Sequence, residues 1–518
     1  MASSLIVLAF AFLVALAFIL KKIKKPTKKV NFPPGPTPWP IVGNLFQLGY
    51  RPHITLDKLA KQYGDIMRVK FGMKNVVMAA SPKMAEEFLK IQDPIFASRP
   101  PLSAGKYTGY DFKNMTWAPY GAHWKLSRKV YLMELFSPKR LSSFEPVRLE
   151  ERINFFKGLY AKIGQPVVIK KHIRHYTLSS ISRVVLGDKY FTDFKGNESS
   201  GLLSLDELIA QIDEWMILNG ELVIGDWIPF LQPLDLQGLI KRMKNQHEKF
   251  DNFLTVVIAD HKVKMDKAGD AFDPKDMVDL LLMLTRDEAD PDMKLDLEGV
   301  KSLLHDLIPG GTDTSATTME WAIHELLLHP EALKKLREEM DKVTGGERWI
   351  QEDDHPNMPY MEAVIKETLR LHPLSPMLAP HVAIEDAKVA GYDIPKGTTI
   401  LINTWSIGRN DAYWENPSEF KPERFLEAGK DISMMGQDFS LLPFGAGRRR
   451  CPGYSLGLRL VRTTVGNVFH GFNWKFPEGF TKDDICMSER YGLTTCPEVS
   501  TSVIPEPRFP AHFYQRSK

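Results

Sequence analysis

The sequence predicts a mainly α protein with small β-sheets, preceded by one N-terminal transmembrane helix. Helical periodicity of apolar residues dominates from about residue 120 to residue 375. Strand-like segments occur at residues 66–71 and 75–80, where Gly72 predicts a hairpin turn, and again at 398–403 and near 497–504. Because composition does not shift within the remainder, we expect one globular domain over residues 46–518.

The transmembrane prediction depends on residues 1–30. Residues 3–20 form an eighteen-residue stretch without charge or proline, and six lysines follow within residues 21–29. A cleaved signal peptide is the alternative, but it would place positive charge before the apolar stretch. Since lysines favour the cytoplasmic side, residues 1–30 are expected to be an uncleaved anchor with the body in the cytosol. Residues 31–45, which contain five prolines, form a stiff hinge.

Charge and cysteine usage argue against a nucleic-acid-binding protein and against a disulfide-rich protein. The net charge is only +3, with the basic excess in residues 1–30, so composition gives no support for nucleic-acid binding. Three cysteines are too few and too clustered for a disulfide framework, and they suit a reducing compartment.

Residues 444–453 contain the strongest candidates for catalytic chemistry in the sequence. Gly445 and Gly447 permit a tight turn, and Pro452 lies where a helix can begin. Apolar residues then recur at helical spacing until Gly471. Cys451 is thus expected near a helix N-terminus beside three arginines, where dipole and charge both lower a thiol pKa.

This segment is similar to the heme-binding loop of the cytochrome P-450 superfamily. The pattern Phe-x-x-Gly-x-Arg-x-Cys-x-Gly is carried by Phe444, Gly447, Arg449, Cys451 and Gly453. The resemblance implies the cytochrome P-450 fold and heme b, iron protoporphyrin IX, with Cys451 as its axial thiolate. It also implies that Arg449 binds a heme propionate and that Phe444 packs near the sulfur.

Further segments resemble the same superfamily. Trp124 and Arg128 match its propionate-binding pair, and both side chains donate hydrogen bonds to carboxylates. His381 resembles a third propionate contact. The resemblance also implies a buried charge network that supports the cysteine loop, formed by Glu367, Arg370 and Arg424.

Residues 310–315 resemble the oxygen-activating segment of the family's long central helix. Asp313 and Thr314 match its proton-relaying acid–alcohol pair, although a helix cap is the plainer interpretation without the cysteine motif. Pro309 departs from the family pattern, and it predicts a stronger kink or a displaced first half of this helix.

Alignment with the family implies a substrate pocket lined by apolar and amphipathic side chains, which fits a lipophilic substrate. The candidates are Tyr107, Met216, Leu303, Ile308, Leu374, Met377, Leu378, Tyr491 and Leu493.

The chain looks like the plant microsomal branch of the superfamily. Residues 131–137 and 234–238 suggest the subgroup of homoterpene-forming and phenolic-modifying members. This implies an endoplasmic reticulum enzyme that uses O₂, and NADPH through NADPH-cytochrome P-450 reductase, to hydroxylate or oxidatively cleave a terpenoid or phenolic metabolite. A reductase would dock on a basic patch formed by Lys125, Lys129, Arg448 and Arg450, although an ordinary solvated face is the alternative for the two lysines. The alternatives are a heme-thiolate isomerase or dehydratase, and a non-enzymatic membrane-tethered binding protein.

Overall fold

The computed structural model describes residues 30–515, apart from residues 189, 193–201, 287–289, 291–292 and 428–431. The predicted membrane anchor at residues 1–30 lies outside the described residues except for Val30. Among the described helices, none combines the length and the apolar character needed to cross a bilayer.

Helices form most of the described chain, as the sequence predicts. In chain order the α-helices are α1 Pro52–Tyr63, α2 Pro82–Glu86, α3 Asp93–Phe96, α4 Ser103–Tyr107, α5 Ala122–Val130, α6 Pro138–Ser143, α7 Glu145–Tyr160, α8 Ile169–Leu186, α9 Leu205–Gly220, α10 Ile224–Trp227, α11 Leu239–Ala268, α12 Met277–Met283, α13 Leu297–Leu328, α14 Pro330–Thr344, α15 Pro359–Leu371, α16 Thr404–Ile407, α17 Tyr454–Gly471 and α18 Ala511–Gln515.

The strands are short and form five small sheets among the described residues. They are β1 Ile66–Phe71, β2 Lys74–Ala79, β3 Val167–Val168, β4 Phe191–Thr192, β5 Leu203–Ser204, β6 His381–Val382, β7 Ala387–Val389, β8 Tyr392–Ile394, β9 Thr399–Ile402, β10 Phe472–Lys475, β11 Glu489–Arg490, β12 Cys496–Pro497 and β13 Ser502–Pro507. The largest sheet has the order β1-β2-β9-β6. The predicted hairpin is confirmed, because β1 and β2 pair antiparallel around Gly72, whose φ is 54°.

Helix α13 is the centre of the structure. It packs against α8, α17 and α15, and most of its side chains are buried. An added Cβ at Gly311 would lie 2.7 Å from the Ile181 side chain of α8, so a glycine is needed for this close approach.

Proline 309 lies inside α13 without ending it. The helix continues from Leu297 to Leu328, and Pro309 is buried within it. The amide of Pro309 has no hydrogen to donate to the carbonyl of His305, one turn earlier. The continuity shows that α13 tolerates this missing bond, and the stronger kink stays a prediction.

Candidate active site

An internal cavity lies between the cysteine segment and α13. One side is formed by the backbone and side chains of residues 443–453, including Phe444, Arg449 and Cys451. One face of α13 also lines the cavity, as do residues of α8 and α9 and of the turn between β11 and β12. The α13 residues that face the cavity are Asp306, Leu307, Gly310, Gly311, Thr314, Ser315 and Thr318. Their spacing follows the helical repeat, so a single face of α13 is exposed to the cavity.

The cysteine segment is a compact loop that ends before a helix. Gly445 and Gly447 both have φ of 65°, a region that only glycine adopts readily. The Cys451 amide donates to the carbonyl of Phe444 at 2.9 Å, which closes the loop. Helix α17 begins at Tyr454, two residues later than Pro452. The sulfur therefore lies just before the helix instead of in its first turn.

The pKa of the Cys451 thiol differs from the sequence-based expectation. Burial raises this pKa, while the amides of Gly453 and Tyr454 and the charge of Arg128 act in the opposite direction. The expected lowering is thus wrong for the polypeptide alone, because desolvation of a thiolate outweighs the helix and arginine contributions. A positive group on the cavity side would lower this pKa and favour an anionic sulfur.

Three cationic side chains lie at or near the cavity: Arg99 and Arg449 line it, and Arg128 is a half-buried neighbour of Arg449 and Cys451. We call Arg99, Arg128 and Arg449 the cationic cluster. Burial lowers the pKa of Arg99 to about 9, and burial together with the like charges of Arg99 and Arg128 lowers the pKa of Arg449 to about 8. Within the described chain, no carboxylate lies within ion-pair distance of these three guanidinium groups. Buried charges of one sign require a compensating anion.

Two further polar side chains, Trp124 and His381, lie beside the cationic cluster, and the indole of Trp124 is the one with a free N–H donor. The indole nitrogen of Trp124 is buried and has no hydrogen-bond partner among the described residues. His381 lines the cavity, and its Nδ1 lies 2.8 Å from the carbonyl oxygen of Phe96. Burial and the adjacent arginines hold the pKa of His381 well below its usual range. The imidazole is therefore neutral.

Arg449 has a second role in holding the loop. Its Nε donates to the carbonyl of Ala97 at 2.7 Å, and its other nitrogens donate to the carbonyls of Met115 and Ala118. Its guanidinium also lies 4.5 Å from the centre of the Trp124 ring. Arg449 thus ties the cysteine loop to the segment that precedes α5. Its predicted contact with a propionate stays a prediction.

Asp313 and Thr314 are neighbours on α13 but face different surroundings. Thr314 lines the cavity, and its hydroxyl donates to the carbonyl of Gly310 at 2.6 Å. Asp313 accepts a hydrogen bond from the Thr494 hydroxyl at 2.7 Å and lies 3.7 Å from an Arg174 nitrogen. Thr314 therefore belongs to the cavity wall, whereas Asp313 belongs to an adjoining polar cluster.

The predicted charge network is assembled and buried. Glu367 accepts hydrogen bonds from Arg370 at 2.7 and 2.8 Å, from Arg424 at 3.0 Å and from the Lys421 amide at 2.8 Å. Arg370 also donates to the carbonyls of three residues between 408 and 419. The network therefore fastens α15 to residues 408–424. Its predicted support of the cysteine loop stays a prediction, because these bonds reach the segment before that loop.

The pocket candidates divide into three groups. Met216, Leu374, Leu378 and Leu493 line the main cavity. Met377 and Tyr491 line a smaller neighbouring cavity, which Leu378 and Leu493 also border.

Three candidates lie elsewhere, and their assignment to the cavity wall is corrected. Leu303 and Ile308 are fully buried core residues on the other faces of α13, where Leu307 takes the cavity position instead. Tyr107 packs in a separate apolar cluster, with Lys244 5.2 Å from its ring centre. The error for α13 is one of helical phase, because a shift of a single residue rotates a side chain by about 100°.

Sequence reasoning missed two polar residues of the cavity. Arg99 precedes two prolines and belongs to no pattern that singles it out. Asp306 lines the cavity and accepts hydrogen bonds from the Asn114 side chain at 2.8 Å and from the Thr116 amide at 2.9 Å. Burial raises the pKa of Asp306 to about 6. Asp306 precedes Gly310 by four residues, so the helical period of α13 places both on one face. This spacing could have identified Asp306 as a cavity residue from the sequence.

Comparisons with known proteins agree with this geometry. The family model of cytochrome P-450 matches residues 33–500. The chain belongs to the cytochrome P-450 family. A trimethyltridecatetraene synthase of Zea mays is 39% identical over 98% of this chain and 94% of its own length. A flavonoid 3'-monooxygenase of Petunia hybrida is 40% identical over 99% of both chains. A zebra fish cytochrome P-450 structure with abiraterone gives a TM-score of 0.72 at 25% identity, covering 89% of this chain and 100% of that one.

The chain is a monooxygenase of this family, and its cofactor is heme with a thiolate ligand. The residues present fit that group. Cys451 borders the cavity, where the iron of a heme supplies the positive group that a thiolate requires. The cationic cluster would balance the negative charge of the two heme propionates. The unpartnered Trp124 nitrogen would donate a hydrogen bond to one of them.

Proposed function

We propose that this chain is an NADPH- and O₂-dependent monooxygenase that acts on a lipophilic plant metabolite, a terpenoid or a phenolic, by hydroxylation or oxidative C–C cleavage. One observation carries the proposal. The same apolar cavity is lined by Cys451 and by Gly310 and Thr314 of α13. Relatives named for homoterpene synthesis and for flavonoid hydroxylation, each about 40% identical, support the two substrate classes.

The residues around the cavity would bind the cofactor, exclude solvent and supply protons, according to where each lies. Heme bound through Cys451 supplies the activation of dioxygen. The cationic cluster, Trp124 and His381 would orient the cofactor, and Phe444 would limit access of solvent to the sulfur. Gly310 has no atom within 4 Å of its added Cβ position, so this turn of α13 leaves room beside the sulfur. Thr314 and Asp313 would supply protons from the α13 side.

Apolar side chains would position the substrate. Met216, Leu374 and Leu493 approach the cavity from three separate parts of the chain. Such a wall binds by burial of apolar surface, and a few polar groups select orientation. Asp306 is the acidic side chain in that wall, within the described residues.

Electrons would come from NADPH through NADPH-cytochrome P-450 reductase. The expected docking face contains Lys125 and Lys129 of α5 and Arg450 of the cysteine segment. Arg448 is less available than expected, because it pairs with Asp93 at 2.8 Å and with the Tyr120 hydroxyl. We place the protein in the endoplasmic reticulum membrane with residues 46–518 in the cytosol, on the basis of the lysines that follow the apolar segment.

The test is product formation by microsomes that contain the full chain and its reductase, against panels of phenolics and terpenoids. Product, hydroxylated or cleaved, is expected only when NADPH and air are both present, with one ¹⁸O atom incorporated from ¹⁸O₂ in a hydroxylation. Product that forms equally without NADPH would overturn the proposal in favour of a heme-thiolate isomerase or dehydratase. A purified protein without a heme absorption band would overturn it in favour of a binding protein.

A further inference from the structure

The connection between Asp313 and the cavity runs through a residue outside α13. Asp313 and Thr314 are adjacent, but the Thr314 hydroxyl directs its proton to the Gly310 carbonyl at 2.6 Å. Among the described residues, no hydrogen bond in either direction joins the Thr314 side chain to that of Asp313. The acid and the cavity-facing alcohol are therefore not directly coupled.

Thr494 makes the contact that Thr314 lacks. Its hydroxyl donates to Oδ2 of Asp313 at 2.7 Å, and Thr494 itself lines the cavity. Its oxygen keeps lone pairs that accept hydrogen bonds from the cavity side. Among the described residues, Thr494 is the side chain that both hydrogen-bonds Asp313 and borders the cavity.

The turn that carries Thr494 is held from three directions. The Leu493 amide donates to the carbonyl of Met216 at 3.1 Å, and the Thr495 amide donates to that of Leu374 at 2.7 Å. The indole nitrogen of Trp321, on α13, donates to the carbonyl of Thr495 at 3.2 Å. These bonds fix the Thr494 side chain between α13 and the cavity.

The opposite side of Asp313 leads to solvent. Its Oδ1 lies 3.7 Å from an Arg174 nitrogen, and Arg174 donates to Asp213 at 2.8 Å. The Asp213 side chain is 34% exposed, so the outer end of this polar row reaches water. Asp213, Arg174, Asp313 and Thr494 thus form a continuous polar connection from the surface to the cavity.

We propose that Thr494 is a proton-relay residue that couples Asp313 to the cavity, an inference that rests on the proposed monooxygenase function. In the relay, Asp313 takes a proton from the Arg174 side, the Thr494 hydroxyl turns from Asp313 toward the cavity, and the Asp313 carboxylic acid then donates its proton to the Thr494 oxygen. At the same time the original Thr494 proton passes to an acceptor oxygen in the cavity. Thr494 ends as a neutral hydroxyl and Asp313 as a carboxylate, which regains a proton from water on the Arg174 side. No electron is transferred in this step.

The test compares Thr494→Val, which removes the hydroxyl at nearly constant volume, with Thr494→Ser, which keeps it. General acid catalysis contributes roughly 10²–10⁴-fold, and water replaces a missing hydroxyl in part, so we expect about a tenfold fall in product per NADPH for the valine variant. The serine variant should retain most of the wild-type yield. Thr344→Val, in a buried hydroxyl that donates to the Met340 carbonyl away from the cavity, is the matched control.

A second readout needs no turnover. The carboxylate stretching band of Asp313 in the resting protein is assigned by its loss in Asp313→Asn and then followed by infrared spectroscopy. It should shift in Thr494→Val and stay in place in Thr494→Ser, because only valine removes the hydrogen bond. If the valine variant loads little heme, Thr494→Ala replaces it in both measurements.

The outcomes separate this inference from the proposed function. Uncoupling in Asp313→Asn and Thr314→Ala, together with an unchanged yield in Thr494→Val, would overturn the Thr494 relay and leave the monooxygenase proposal intact. An unshifted carboxylate band in Thr494→Val would also overturn the relay. Absence of NADPH-dependent product from the wild-type protein would overturn the proposed function itself.

Discussion

Replacement of Glu367 by alanine tests the buried network most directly. Glu367 is fully buried and accepts four hydrogen bonds, three of them from the guanidinium groups of Arg370 and Arg424. Alanine leaves two buried cations without their carboxylate. Arg370 retains three backbone carbonyl acceptors and Arg424 retains the carbonyl of Glu415 at 2.8 Å, so hydrogen bonding persists while charge compensation is lost.

The expected magnitude follows from this geometry. Removal of one partner from a buried ion pair destabilises a protein by about 3–5 kcal/mol, which lowers the folded-to-unfolded ratio by roughly two to four orders of magnitude. Arg424→Ala should act in the same direction, because Glu367 keeps Arg370 but loses its second cation. An exposed pair supplies the control. Lys90 and Glu86 lie 2.6 Å apart with side chains 62% and 37% exposed, so Lys90→Ala should cost less than about 1 kcal/mol.

The assay is the heme-loaded fraction of each purified variant, together with its half-life at a fixed raised temperature, since a protein of this size tends to unfold irreversibly. Glu367→Ala and Arg424→Ala should yield little heme-loaded protein, and Lys90→Ala should match the wild type. Fully loaded Glu367→Ala protein with a wild-type half-life would refute the reasoning, because it would show that the network contributes nothing to the folded state.

Further predictions concern the cofactor, the relay and the membrane. Cys451→Ser should abolish the long-wavelength absorption shift of the carbon-monoxide-bound ferrous heme, because that shift depends on a thiolate; a retained shift would show that Cys451 is not the ligand. Thr314→Ala should continue to consume NADPH while product falls and hydrogen peroxide rises, and an unchanged yield per NADPH would exclude this hydroxyl from the relay. Deletion of residues 1–30 should preserve turnover but release the protein from membranes on sedimentation, and a truncated protein that still pellets would count against the anchor.

Local patterns predicted much of the fold and the core of the site. The alternation around Gly72 predicted the hairpin, and the apolar spacing after Cys451 predicted α17 to within two residues. Each of these two patterns spans no more than about twenty residues. Each arises because one face of the strand or helix packs against the core. The cysteine pattern likewise identified the loop that borders the cavity.

The remaining features depend on contacts between distant segments. The phase of α13 is set by its packing against α8 and α17, so the sequence alone did not exclude Leu303 and Ile308 from the cavity wall. Arg99 reaches the site because residues 97–98 bridge to Val382, nearly three hundred residues later. The balance of effects on the Cys451 pKa also required burial, which local sequence does not specify.

The cationic cluster also links the cellular abundance of this protein to its cofactor. Like charges in a region of low dielectric repel one another until an anion lies between them, so the chain without heme is disfavoured. A ligand that binds only the folded state stabilises it by about 1.4 kcal/mol for each tenfold excess over its dissociation constant. Cells degrade unfolded chains continuously, and an unstable apoprotein is short-lived. We therefore expect the amount of this protein in a cell to follow the rate of heme synthesis as well as the rate of its own translation.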